Sequence, residues 1–346
     1  MINPKILVIG NGFDLYHGLK TNYIDFVRYS KELIKADKGT KGRQWAISNS
    51  FIQCFIKVAS ENQCWIDCER EIEVIVTMFL KILYDRNVFI NTNLIKKNST
   101  SLTSYEFERL RLMNKFCKKS DSQIIEFQDK YFKIYQGLDK NLIMETLKRD
   151  LNELSQLFRF YLEERVVNEP VNKLSKQILE MNPDYVINFN YTNTYENYGI
   201  NRKDVCFIHG SVEDNNIVLG IRDIDEKDIN SIYFKKFFQR IQKTTDVIQW
   251  SKFKKSKFMK KSKKYITDKA ITYFFGHSLS STDGDMIRDI YENSERIVIF
   301  CLKSEEHKDY EQKVINLIDT LGKETVIQGM YSGRIEFISI KYYYEV

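Results

Sequence analysis

A chain of 346 residues is long enough for one large or two ordinary domains with a sizeable core. Its 43% hydrophobic and 29% charged residues exclude a disordered chain, and no apolar run reaches the roughly 18 to 20 residues that span a bilayer. With 53 basic against 47 acidic residues, the net charge of +6 describes a nearly balanced surface rather than a polyanion-binding one.

The chain opens MINPKILVIGNG, without the basic, apolar and small-residue regions of a signal peptide, so the expected address is the cytoplasm. KILVIG (Lys5 to Gly10) is a short apolar run without alternation, which suits a strand buried on both faces of a parallel sheet. It runs into GNGFDLYHGLKT, where Gly10 and Gly12 permit a tight turn and a close backbone approach. The helix predicted to follow would attract an anion at its N-terminus. Asp14 in that turn reads either as a helix cap or as a functional group.

From Arg43 to Glu169 there is one glycine, Gly137, and no proline, which predicts an almost purely helical insertion over about residues 41–165. Ile72, Ile75, Phe79 and Ile82, and later Leu147, Leu151, Leu154, Phe158 and Tyr161, recur at helical spacing, as core-facing stripes do. Six cysteines without regular spacing imply no disulfide framework, and the pair Cys64 and Cys68 has no second pair to complete a zinc site. No metal is expected.

Four more apolar runs follow: DYVINF (Asp184 to Phe189), DVCFIHG (Asp204 to Gly210), ITYFFG (Ile271 to Gly276) and RIVIFC (Arg296 to Cys301). With KILVIG they predict an α/β fold, a Rossmann-like, mostly parallel sheet with a large helical insertion. The domain would comprise residues 1–40 and 166–346, split by the insertion at 41–165. Ligands bind at the carboxyl ends of such strands, where this chain places Asn188, Asn190, Tyr191 and Thr192 after one run, His209, Gly210 and Ser211 after another, and His277, Ser278, Asp283 and Asp285 after a third. Three of the four histidines, His17, His209 and His277, thus lie at predicted strand exits, where a general base would act. A base at His209 is expected to face an open cleft. Asp283 and Asp285 precede a predicted helix, and one of them reads as its N-cap. The run KFKKSKFMKKSKK, Lys252 to Lys264, reads as a solvated face or loop in preference to a nucleic-acid contact.

Taken in order, these motifs resemble the abortive-infection AbiH family of bacterial antiphage proteins. The likeness covers nearly the whole chain and is most specific at IGNGFDLYHGLKTNYIDF, INFNYTNTYE, IHGS and FFGHSLSSTD; the insertion matches only in general character. A more distant similarity is to sirtuin-like NAD-processing domains, several of which deplete NAD in phage defence. Gly10, Gly12, Gly18, Leu19, Thr21, Asn190, Tyr191, His209, Gly210, Gly276, Ser278 and Leu279 fall in line with the motifs of those domains. The chain departs from them at Asn11, Asp14, Lys20 and Thr192, which stand where alanine, a small residue, proline and aspartate are usual.

These resemblances imply an antiphage effector that cleaves the nicotinamide glycosidic bond, with NAD as substrate rather than cofactor. His209 would be the general base and Asn190 would orient ribose or water. Gly10, Asn11, Gly12, Asp14, Thr21, Tyr191, Gly210, Gly276, His277 and Ser278 would line the nucleotide site. Two other readings stay open: a metal-dependent hydrolase or nuclease holding its ion with Asp14, His209, His277 and Asp283, and a non-catalytic nucleotide-binding sensor. The partners expected are a small nucleotide and a phage-derived trigger, with no membrane; a homo-oligomer is compatible with the sequence.

Overall fold

The computed structural model describes residues 3–36, 39–61, 67–84, 94–97, 101–118, 123–133, 137–171, 173–222, 229–246, 250, 269–303 and 308–340. The Lys252 to Lys264 run and Cys64 lie outside them. The chain divides into two compact units, one of Met1–Thr21, Leu162–Val218 and Arg240–Val346, the other of Asn22–Tyr161 and Leu219–Gln239.

The first unit is built on six strands: β1 (Lys5–Ile9), β2 (Tyr185–Asn188), β3 (Val205–Phe207), β4 (Ala270–Phe275), β5 (Ser294–Leu302) and β6 (Ile335–Ile340). Their order across the sheet is β6-β5-β4-β1-β2-β3, with every neighbouring pair parallel. Read from the other edge this is 3-2-1-4-5-6, the order of the doubly wound dinucleotide-binding sheet, whose switch point falls between β1 and β4. The apolar runs lack alternation because both faces are covered. Ile6, Val8, Ile187, Cys206 and Ile299 join one core, shared with Met286, Ile287 and Ile290 of the Gly284–Glu292 helix. Leu7, Ile9, Val186, Phe207 and Phe300 join the opposite core, shared with Phe13, Tyr16, Ile178 and Met181. Only β6, IEFISI, was not an apolar run; it forms the sheet edge, where Glu336 and Ser339 are not fully buried.

The second unit contains the helices Tyr23–Lys35, Lys41–Ser48, Ser50–Glu61, Cys68–Tyr84 and Ser104–Leu112 and most of Lys140–Arg165. Both stripes are core-facing: Ile72, Ile75 and Phe79, like Leu147, Leu151 and Leu154, are buried. The expectation of an almost purely helical segment is corrected by two short antiparallel pairs, Leu94–Lys96 with Ile124–Glu126 and Phe132–Lys133 with Gly137–Leu138. The first pair is closed over a long stretch of chain and needs no tight-turn residue. The second is marked by Gly137, at φ +74°.

Candidate functional site

Register fixes what meets at the carboxyl end of the sheet. Ile9 lies beside Asn188 on one side and Phe275 on the other, and Asn188 lies beside Phe207. The residues that follow, Gly10, Phe189, Ile208 and Gly276, therefore leave the sheet together. At the switch point the two turns touch backbone to backbone. A Cβ on Gly12 would lie 2.9 Å from the Gly276 Cα, and one on Gly10 would lie 2.8 Å from the His277 Cα. Gly276 has φ +67°, and a Cβ there would lie 2.0 Å from the Phe13 nitrogen. The Gly12 N–H donates to the Gly276 carbonyl at 2.8 Å, and the Phe13 N–H to Gly10 at 2.8 Å. Here the close approach that the glycines permit is to another turn of this chain, and the Gly12 amide is already engaged. Asn11, between them, is exposed.

Behind this junction lies a buried carboxyl. Asp14, 1% exposed, accepts a 2.6 Å hydrogen bond from the Thr192 hydroxyl on Oδ2, and Thr194 in turn donates to Thr192 at 3.2 Å. Its Oδ1 is buried with no hydrogen-bond partner among the described residues, and the same holds for Thr21 Oγ1. Burial pushes the Asp14 carboxyl up to about 6, with Thr192, Thr194 and Asn190 pulling the other way. Asn190 spends its side-chain N–H on the Gly10 carbonyl at 2.9 Å, and Asn188 accepts the Asn190 backbone N–H while donating to the Thr192 carbonyl. The two asparagines thus clamp the turns that follow β1 and β2.

A second cluster gathers around Asp283. His209 Nε2 lies 2.8 Å from Asp283 Oδ1, and Arg240 Nη2 donates to the same oxygen at 3.1 Å. Arg240 Nη1 reaches Asp285 at 2.6 Å, and Nη2 lies 3.4 Å from His209 Nε2. His277 Nε2 faces Asp283 Oδ2 at 4.0 Å, while its Nδ1 accepts the Leu279 N–H at 2.9 Å. Leu279 adopts φ +58° to make that turn, a conformation costing a non-glycine residue roughly 1 kcal/mol or more. Phe189 sets its ring edge-on between the two imidazoles, 4.3 Å from His277 and 5.4 Å from His209 between centroids. His209 is only 4% exposed, which corrects the expectation of an open, cleft-facing base. A carboxylate only accepts, so in this 2.8 Å bond Nε2 is the donor. Asp283 occupies the N-cap position of the Gly284–Glu292 helix, yet its side chain makes no capping bond and serves the histidine instead.

The remaining predicted residues are distributed around these clusters. Gly10 joins them, touching His277 and accepting from Asn190. Tyr191 donates to the Val218 carbonyl, with its ring 6.3 Å from that of His209. Gly210, at φ +76°, passes so close to Asn216 that a Cβ would lie 2.2 Å from its carbonyl oxygen. Ser278 is exposed, and its carbonyl is held by Asn316. His17 stands apart: Nδ1 donates to the Phe13 carbonyl at 2.6 Å and Nε2 accepts from Tyr198 at 2.7 Å. Burial holds its imidazole below the usual range, and its two bonds tie the end of the Asn11–Tyr16 helix to Tyr198. Sequence reasoning missed Arg240, 1% exposed, because one arginine in a lysine-rich stretch carries no sign that it will be buried.

Among the described residues no three His, Cys, Asp or Glu side chains converge as metal ligands, and no helix is long and apolar enough to cross a membrane. The five described cysteines are buried and form no disulfide with one another. A family model described as bacteriophage abortive infection AbiH matches residues 6–301. No curated protein and no solved structure matches the chain.

Proposed function

Because the chain belongs to the bacteriophage abortive infection AbiH family, we propose that the cluster at the sheet end is the hydrolytic centre of an abortive-infection effector acting on a nucleotide. The observation that carries this reading is the buried Asp283–His209 pair at 2.8 Å, held from behind by Arg240. A carboxylate that fixes the imidazole tautomer and steadies the imidazolium formed later is the arrangement of a general base.

One bond that a single base can serve without a general acid is the glycosidic bond of NAD or a related nicotinamide nucleotide. Nicotinamide leaves with the bonding electron pair, which neutralises its ring charge, and needs no proton. Water then adds to C1′ of the oxocarbenium-like sugar, and its proton passes to the His209 imidazole. Arg240 holds Asp283 in place and offsets its charge. The sheet order supports a nucleotide ligand, but the engaged Gly12 amide does not fit a pyrophosphate cradled at the Asn11–Tyr16 helix, so the phosphates must be held elsewhere. The metal-dependent reading is the weaker one, because His209 and Asp283 bond to each other rather than converge on a common point.

The test is to incubate purified protein with NAD and follow free nicotinamide, with and without EDTA. Release that survives EDTA and falls about 10²–10⁴-fold in both His209→Ala and Asp283→Asn is the expected result. Release abolished by EDTA would move the assignment to metal chemistry, and no release from a folded protein would leave a nucleotide-binding sensor.

A further inference from the structure

We propose that Asp14 is the hydroxyl-binding group of this site, with its Oδ1 accepting a hydrogen bond from a ribose hydroxyl of the ligand. The inference rests on the nucleotide reading above and adds which part of the ligand meets β1. Three observations carry it. First, Asp14 Oδ1 is buried without a hydrogen-bond partner among the described residues, although Oδ2 of the same carboxyl is bonded to Thr192. A buried acceptor left unmade is costly, and one retained at a sheet's ligand-binding end is fitted to a donor that arrives with the ligand. Second, in doubly wound sheets the sugar is held by an acidic side chain further along the chain than the glycine-rich turn. Here β2 ends instead in Asn188, whose amide is spent on Thr192 and Asn190. Asp14, on the segment that follows the β1 turn, places a carboxyl beside the switch point. Third, the neighbouring Gly12 amide is closed to phosphate by its bond to Gly276, and a carboxylate, which only accepts, repels an anion but suits a hydroxyl. The turn after β1 thus presents a sugar contact where such sheets usually present a phosphate contact.

Nicotinamide mononucleotide, with one ribose, and its 2′-deoxy and 3′-deoxy forms are the probes. Binding is measured by calorimetry on His209→Ala protein, where turnover does not interfere. With Asp14 present, the ribonucleotide should bind about tenfold or more tightly than at least one deoxy form. Adding Asp14→Ala, which removes every hydrogen-bonding atom of the side chain, should weaken the ribonucleotide by about the same factor and leave that deoxy form unchanged, erasing the discrimination. Asp14→Val makes the same comparison if the alanine variant does not fold. Equal binding of the ribonucleotide with and without Asp14 would overturn the assignment even if His209-dependent turnover is intact. Conversely, discrimination that depends on Asp14 in a protein that releases no nicotinamide would sink the hydrolytic reading and keep the hydroxyl site. Failure of all three probes to bind would overturn the hydroxyl assignment, and nicotinamide release from NAD then decides the hydrolytic reading separately.

Discussion

Asp14 also has a cost that stability measurements can read. Its folded carboxyl titrates at about 6 against an ordinary 3.8, so the folded state holds the proton more tightly than the unfolded one. This group's contribution is full below about pH 4 and is lost as pH rises through 6, amounting to about 3 kcal/mol at most. Asp14→Asn should therefore raise the melting temperature at pH 7 to 8 and flatten its dependence between pH 4 and 6; an unchanged profile would show that the carboxyl is solvated. His209→Ala should lower stability as well as turnover, by roughly 1 to 3 kcal/mol in denaturant unfolding, because it strips a partner from buried Asp283. Arg240→Met should cost more, about 3 to 5 kcal/mol, since it leaves that carboxylate without its counter-charge. The sequence announced His209, Asp283 and Asp14 through their places after apolar runs. It was silent on Arg240, and on which partner each would choose, because burial and pairing are decided by distant segments.

Among elements, the five apolar runs were legible as strands because both sheet faces are covered, which leaves no alternation to mislead. The glycine-rich turn after β1 was legible as a tight approach, but the approaching group was not: nothing in GNGFD says that its neighbour will be Gly276 rather than a ligand. That junction makes a sharp comparison. Gly276→Ala places a Cβ against the Phe13 nitrogen at positive φ and should abolish soluble expression or cost several kcal/mol. Gly199→Ala, also at positive φ but with nothing within 4 Å, should cost only about 1 kcal/mol in the same unfolding assay. Similar losses in the two would mean that backbone conformation alone, and not the turn-to-turn contact, sets the requirement. The short strand pairs of the second unit were hidden for the opposite reason, since strands of two or three residues are too brief to show a period.

Across the whole molecule, the first unit is assembled from three separate stretches of chain, and β1 sits in the middle of its sheet. Ile6 finds one neighbour at Tyr185 and the other at Thr272. Ending the chain after residue 268 removes β4 to β6 and leaves β1 as a bare apolar edge, so such a fragment should partition into the insoluble fraction on expression. A soluble, cooperatively unfolding fragment would show that β1 and its first neighbours suffice. The long wait of β1 for its second neighbour also governs biosynthesis. His209, Arg240 and Asp283 leave the ribosome in that order, and β1 precedes all three. A ribosome halted before Asp283 releases no polypeptide able to hold the cluster.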